Sequence, residues 1–115
     1  MLISRVFLFE AAHQLTRYHG KCENLHGHTY KLIVTVEGGV RDDGMVYDFH
    51  LLKNAVKEQV VERLDHTYLN DLMENPSAEL LAIWIWDQLK EKLPVRLHEI
   101  QLWETQTSYV TYRGE

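Results

Sequence analysis

Two histidines flank a glycine at His26-Gly27-His28, and the residues that follow, Thr29 to Val36, alternate polar and apolar in the manner of a β-strand. Side chains along an extended segment switch faces with period two, so both imidazoles project to the same side. The fold must therefore either leave two basic rings side by side or fill the space they share with something both can bind. Gly27 leaves room for a bulky object. Zinc is the commonest such object, held by neutral imidazole nitrogens at roughly 2.0–2.1 Å, and a catalytic zinc takes three protein ligands with one position open. The pair supplies two. The chain has to fold so that a third arrives from elsewhere.

In chain order, Leu2 to His13 reads as a strand with Ile3, Phe7, Phe9 and Ala11 on one face, interrupted by Arg5, and His13 falls on that face. Gln14 to Asn24 is a polar loop that carries Lys21 and Cys22 toward the histidine pair. Thr29 to Gly38 is a second strand, with Tyr30, Leu32, Val34 and Val36 on one face and Lys31, Thr35 and Glu37 on the other. Gly38-Gly39 and Asp43-Gly44 mark turns, the second suited to a tight hairpin. Asp48 caps a helix over Phe49 to Leu64, whose buried stripe is Phe49, Leu52, Val56 and Val60. After a loop from Asp65 through Asp71, Pro76 opens a second helix at its first position. Leu81, Ile85, Leu89 and Leu93 keep helical spacing until Pro94. Leu97 to Glu104 and Ser108 to Tyr112 read as two antiparallel strands. This order, ββααββ, predicts one α+β domain over residues 1–115, with a four-stranded antiparallel sheet carrying two helices on one face.

Composition narrows the partners. A net charge of −5 with pI near 5.8 argues against nucleic acid. An anionic substrate needs a metal or local Lys/Arg to offset that field. A single cysteine cannot form an internal disulfide. The N-terminus lacks the basic-then-apolar layout of a signal peptide, and the longest apolar run, Leu80 to Trp86, is too short to span a bilayer. A cytoplasmic enzyme or binding module, with no membrane partner, is expected.

Of the seven histidines, His50 and His98 read as surface residues. Two others compete to be the third ligand. His13 ends a strand behind two alanines, small enough for a neighbouring strand or metal to approach closely, whereas His19 lies in the polar loop. His13 is preferred because a strand end fixes an imidazole better. Cys22 is open to three readings: the fourth ligand of a closed site of one cysteine and three histidines, a buried thiol without a role, or a reactive thiolate favoured by Lys21 and a nearby metal. Asp65-His66 places a carboxylate beside an imidazole at a helix end, where a protonated His66 could equally offset the helix dipole. Glu104 ends a strand whose parity puts Ile100 and Leu102 inward. It is either an exposed strand-end residue or a carboxylate that meets a guanidine-like ligand edge in bidentate fashion.

Six pieces together resemble the 6-pyruvoyltetrahydropterin synthase family, in its bacterial branch of 6-carboxy-5,6,7,8-tetrahydropterin synthases of queuosine biosynthesis. They are Phe9-Glu10-Ala11-Ala12-His13, Cys22-x3-His26-Gly27-His28-x-Tyr30, Gly44-Met45-Val46-Tyr47-Asp48-Phe49, Leu64-Asp65-His66-Thr67-Tyr68-Leu69-Asn70, Asn75-Pro76-Ser77-Ala78-Glu79 and Trp103-Glu104-Thr105. They stand in the family's order and cover nearly the whole chain. Two small departures are Glu10, where aspartate is frequent, and Leu80, where asparagine is.

The resemblance implies the tunnelling fold, in which subunits join their sheets into a barrel, usually as a homohexamer of two trimers. It implies that His13, His26 and His28 bind zinc, that Cys22 is the catalytic base, and that Asp65 with His66 relays protons. Glu104 resembles the pterin anchor, with Thr105 beside it at the substrate. The three-residue gap between Cys22 and His26 matches the carboxy-forming branch. The implied activity is that of a carbon-oxygen/carbon-carbon lyase. It takes 7,8-dihydroneopterin triphosphate to 6-carboxy-5,6,7,8-tetrahydropterin, releasing acetaldehyde and triphosphate, with zinc acidifying and orienting the side-chain hydroxyls. Alternatives are a pyruvoyl-forming synthase that only eliminates triphosphate, and a non-catalytic structural zinc module of one cysteine and three histidines. Arg17 and Lys21 are the cations nearest in sequence for a triphosphate.

Overall fold

Apolar alternation makes Leu2–His13 (β1) and His26–Glu37 (β2) two long strands, paired antiparallel from Leu2↔Glu37 to His13↔His26. The computed structural model describes residues 1–17 and 24–115. A helix (α1) follows as Phe49–Val56, continues through a π-helical turn at Lys57–Val61 and finishes as Glu62–Leu64. Next come a two-residue strand, Thr67–Tyr68 (β3), the helix Ala78–Leu89 (α2), and two strands, Arg96–Trp103 (β4) and Tyr109–Tyr112 (β5). The sheet order is β3-β1-β2-β4-β5.

The sheet thus has five strands, where four were expected, and it is not wholly antiparallel. β3 runs parallel to β1, pairing Thr67 with Ala11 and Tyr68 with Ala12. Two residues are too few for alternation to register in a sequence. Local bonds set this strand instead: the Asp65 carboxylate accepts from the Glu10 amide at 2.8 Å, and the His66 amide donates to the Glu10 carbonyl at 2.6 Å. The two alanines before His13 do admit a neighbouring strand closely.

Both helices lie on one face of the sheet. Phe7, Phe9, Tyr30, Leu32, Val34, Ile100 and Leu102 meet Leu52, Val56, Leu64, Leu81, Ile85 and Leu89 there in one buried cluster. Asp48 caps α1 as expected, accepting from the His50 amide at 2.7 Å. Phe49 was expected in the stripe but is 51% exposed. As the helix's first residue it projects back toward the N-terminus, past the packed turns. Ser77, not Pro76, begins α2; it accepts from the Leu80 amide at 3.2 Å, so Pro76 precedes the cap. α2 stops at Leu89, with Lys90 as its C-cap, short of Leu93, the residue that Pro94 disfavours in a helix. A register shift against Thr35/Val36 lets β4 turn both Leu97 and Ile100 inward. Past the bulge the pairing is regular, so Glu104, just beyond β4, keeps the parity of Ile100 and Leu102. On the other face of the sheet no helix covers Val6 and Leu8, 56% and 64% exposed. Among the described residues, no helix is long and apolar enough to cross a membrane.

Leu51 and Leu52 are neighbours about 100° apart around α1, 50% and 0% exposed. Leu52→Ala should lower unfolding free energy by about 2–5 kcal/mol, through lost burial and the cavity left behind. Leu51→Ala should change it by less than about 0.5 kcal/mol. Urea titration of both variants checks the difference; equal losses would mean that α1 is rotated from the orientation described.

Candidate metal centre

β1 and β2 pair His13 directly with His26, and His28 is two residues further along the same face of β2. The three rings converge. His13 Nε2 is 2.8 Å from His26 Nε2 and 3.2 Å from His28 Nε2. One nitrogen from each ring lies within 4.8 Å of the others, so the trio can hold a metal ion. His13 is fully buried and the other two are partly so.

The opposite edges of two rings decide where the hydrogens are. His13 Nδ1 is 2.8 Å from the Pro76 carbonyl oxygen, and His26 Nδ1 is 2.6 Å from the Asn24 carbonyl oxygen. A carbonyl only accepts, so each Nδ1 carries the hydrogen and donates it. Each Nε2 then presents a lone pair. Two lone pairs 2.8 Å apart repel unless a cation or proton lies between them. Ligand edges of about 3.3 Å follow from tetrahedral geometry at usual zinc–nitrogen lengths, close to the separations found. A neutral ring, Nδ1 bound to a carbonyl and Nε2 free, is the usual state of a metal-ligating histidine. The donor set therefore fits a divalent ion of imidazole preference.

His28 is held below the ordinary histidine value of 6.5, by burial first; the neighbouring Glu104 opposes this, and His13 and His26 reinforce it. Tyr30 lies beneath the trio, fully buried and stacked on Phe9, with its hydroxyl 3.4 Å from His13 Nδ1. Burial, then Glu104, raises its phenol well above the usual range.

Glu104 is no exposed strand end. Its side chain is 22% exposed, with Oε1 3.7 Å from His28 Nε2 and Oε2 4.0 Å from His13 Nε2. It lines a cavity of about 250 Å³ with Leu15, Ser77, Ala78, Glu79 and Ser108. Thr105 is not brought there: it lines a separate groove with Leu8, Thr29, Lys31 and Trp103. Its hydroxyl accepts from the Thr107 amide at 3.3 Å.

Asp65 and His66 do face each other, Oδ2 to Nδ1 at 3.0 Å. The Glu10 amide is the main reason the Asp65 carboxyl is held below its usual range, with His66 contributing less. His66 takes a positive φ of 58°, uncommon outside glycine though histidine adopts it more readily than most residues, and its ring is 80% exposed. It opens on a groove of about 450 Å³ shared with Glu10, Gly27, His28, Thr29 and Tyr68. Gly27 leaves its space in this groove, not between the rings: a Cβ there would lie on the opposite face from His26 and His28, 3.7 Å from the Ala11 carbonyl oxygen. Cys22, His19 and Lys21 lie outside the described residues, while Arg17 is paired with Glu74 at 3.9 Å on the surface. Sequence reasoning missed the Pro76 and Asn24 carbonyls, since backbone acceptors carry no residue signature. Ser77 it could have found, as the cap of a helix starting beside the site.

The family model described as 6-pyruvoyl tetrahydropterin synthase matches residues 2–115. The 6-pyruvoyl tetrahydrobiopterin synthase of Dictyostelium discoideum is 37% identical, with 100% of this chain and 97% of that protein covered. The 6-carboxy-5,6,7,8-tetrahydropterin synthase of Synechocystis is 41% identical, with 96% and 92% covered. The dihydroneopterin monophosphate aldolase of Pyrococcus furiosus is 44% identical, with 84% and 82% covered. The solved structure of Caenorhabditis elegans 6-pyruvoyl tetrahydropterin synthase superposes with a TM-score of 0.90 at 30% identity, over 100% of this chain and 96% of that one.

Because His28 binds its proton less readily folded than unfolded, the unfolded chain carries more protons through the histidine range. Stability therefore rises with pH there. The metal-free protein should lose unfolding free energy as pH falls from about 7 to about 5, and His28→Asn should flatten that slope. Chemical denaturation at a series of pH values measures it, and an unchanged slope in the variant would show His28 to be no part of the cause.

Proposed function

This chain belongs to the 6-pyruvoyl tetrahydropterin synthase family, and we propose that within it the protein is a 6-carboxy-5,6,7,8-tetrahydropterin synthase of queuosine biosynthesis. With one water consumed, it converts 7,8-dihydroneopterin triphosphate to the carboxypterin and releases acetaldehyde and triphosphate. The observation that carries this reading is the three-imidazole centre with Glu104 turned toward it, beside a cavity large enough for a flat heterocycle.

His13, His26 and His28 hold zinc, which when bound supplies a Lewis acid to the hydroxyls of the substrate side chain. The Pro76 and Asn24 carbonyls keep the Nε2 atoms of His13 and His26 free for it. Glu104 accepts from the 2-amino/N3 edge of the pterin in bidentate fashion and so fixes the ring. Cys22 moves protons at the side-chain carbons, and His66, oriented by Asp65, is the second acid/base. Thr105, expected beside Glu104 at the substrate, lines the separate groove of Leu8, Thr29, Lys31 and Trp103 and is given no contact with the pterin ring. The three-residue spacing from Cys22 to His26 favours the carboxy-forming outcome. The pyruvoyl-forming reaction is the second reading, favoured by the similarity to the Dictyostelium and nematode enzymes. A structural zinc module leaves the oriented Asp65–His66 pair and Glu104 without a role.

The protein acts in the cytoplasm, with neither nucleic acid nor membrane as partner, as a single domain over residues 1–115. It assembles as a homohexamer of two trimers. The outer edge of β1 before Ala11 and that of β5 have no partner strand among the described residues, which supports pairing between subunits.

Incubation with 7,8-dihydroneopterin triphosphate and identification of products tests the reaction. Carboxypterin with acetaldehyde is expected; triphosphate loss alone, or any other cleavage product, overturns it. Cys22→Ala should keep one zinc per chain and lose turnover by roughly 10²–10⁴, the usual contribution of a positioned acid/base group. Loss of zinc along with activity would make Cys22 a ligand instead.

A further inference from the structure

We propose that Asn70 is a positioning residue that holds the His13 end of β1 at a fixed separation from the Asp65–His66 segment. The parallel ladder pairs Ala11 with Thr67 and Ala12 with Tyr68. Continued by two residues, it would set Gln14 opposite Asn70. The backbone cannot continue it, because Leu69–Asp71 turns into a 3₁₀ helix. The Asn70 side chain completes it instead. Its Oδ1 accepts from the Gln14 amide at 2.8 Å, and its Nδ2 donates to the Gln14 carbonyl at 2.8 Å. An amide side chain here pairs with both main-chain groups of one residue, as a neighbouring strand would.

Nδ2 also donates to the Glu74 carbonyl at 3.1 Å. That bond ties in the segment whose Pro76 carbonyl fixes the His13 ring, and whose Asn75 Oδ1 accepts from the Thr16 amide at 3.1 Å. One side chain thus joins the strand bearing His13, the loop bearing His66 and the stretch that sets the His13 tautomer. Aspartate has the same shape but lacks both donors.

The kinetic part of this inference rests on the proposed function; the rest does not. The test compares Asn70→Ala, Asn70→Asp and wild type, with Ser4→Ala as a reference that removes the remote 2.7 Å Ser4–Thr35 hydroxyl bond. In both Asn70 variants, hydrogen exchange at the His66 amide should quicken by about 10-fold or more, joined by the Gln14 amide in Asn70→Ala, where its acceptor is lost. Zinc affinity, read by chelator competition, should fall by about 10-fold in both. With 7,8-dihydroneopterin triphosphate, kcat should fall on the order of 10²-fold while KM stays within about 3-fold, because Glu104, which fixes the pterin ring, makes no contact with Asn70. Ser4→Ala should leave all of these at wild-type values. Wild-type exchange and zinc affinity in Asn70→Asp would overturn the inference. So would equal changes in Ser4→Ala, which would reduce the effect to general loosening. Absence of turnover in the wild type would defeat the proposed function alone, since exchange and zinc affinity still decide the role of Asn70.

Discussion

Three imidazole nitrogens are aimed at one another from a sheet end, and in two of the rings a backbone carbonyl holds the hydrogen on the far side. Without a cation this is an unfavourable arrangement, since lone pairs face lone pairs at close range. The remainder of the fold supplies what is needed to hold it: the unbroken β1–β2 register, the buried Tyr30 and Phe9 below, and the start of α2 across from His13. Stability and metal affinity are in tension at this point. A metal that occupies the centre removes the repulsion and so binds partly by relieving strain in the folded chain.

The centre also divides the molecule's chemistry between two cavities. On the side of α2, Glu104 is a mostly buried carboxylate within 4 Å of two ring nitrogens. On the other face of the sheet, His66 is solvated and borders a groove that, among the described residues, meets the centre at His28. Under the proposed function, the first would recognise the pterin and the second would exchange protons with what lies outside. Their environments differ because Glu104 lies on the face of the sheet that the helices cover, while His66 leaves α1 into a turn open to solvent.

The long strands, the two helices and the histidine trio were legible from the sequence because each rests on a period: two for β1 and β2, near four for α1 and α2. His13 was preferred over His19 because a strand end fixes an imidazole better than a polar loop, and the parity that buries Phe9 and Ala11 buries His13 as well. What was not legible lacks a period. β3 is two residues long, and its place depends on a side chain, Asp65, reaching the main chain of Glu10. The carbonyls of Asn24 and Pro76 belong to no residue type. The space left by Gly27 was assigned to the wrong face, although the same alternation that joined His26 to His28 places Gly27 opposite them. Phe49 misled because an apolar residue at the first turn satisfies the helical spacing without reaching the core.

The π-helical turn in α1 has a consequence for how this chain can vary. Leu52, Val56, Val60 and Leu64 are spaced by four, and in a regular α-helix that spacing drifts by about 40° at each step. The wider turn at Lys57–Val61 takes the drift back, so Val60, Val61 and Leu64 all stay buried. A π turn is in effect one extra residue lodged in an α-helix. Chain length inside α1 is therefore partly uncoupled from where the helix ends. The segment can absorb or give up a residue there while Asp65 still leaves the helix in line with Glu10, making this the natural seam for length change within an otherwise fixed scaffold.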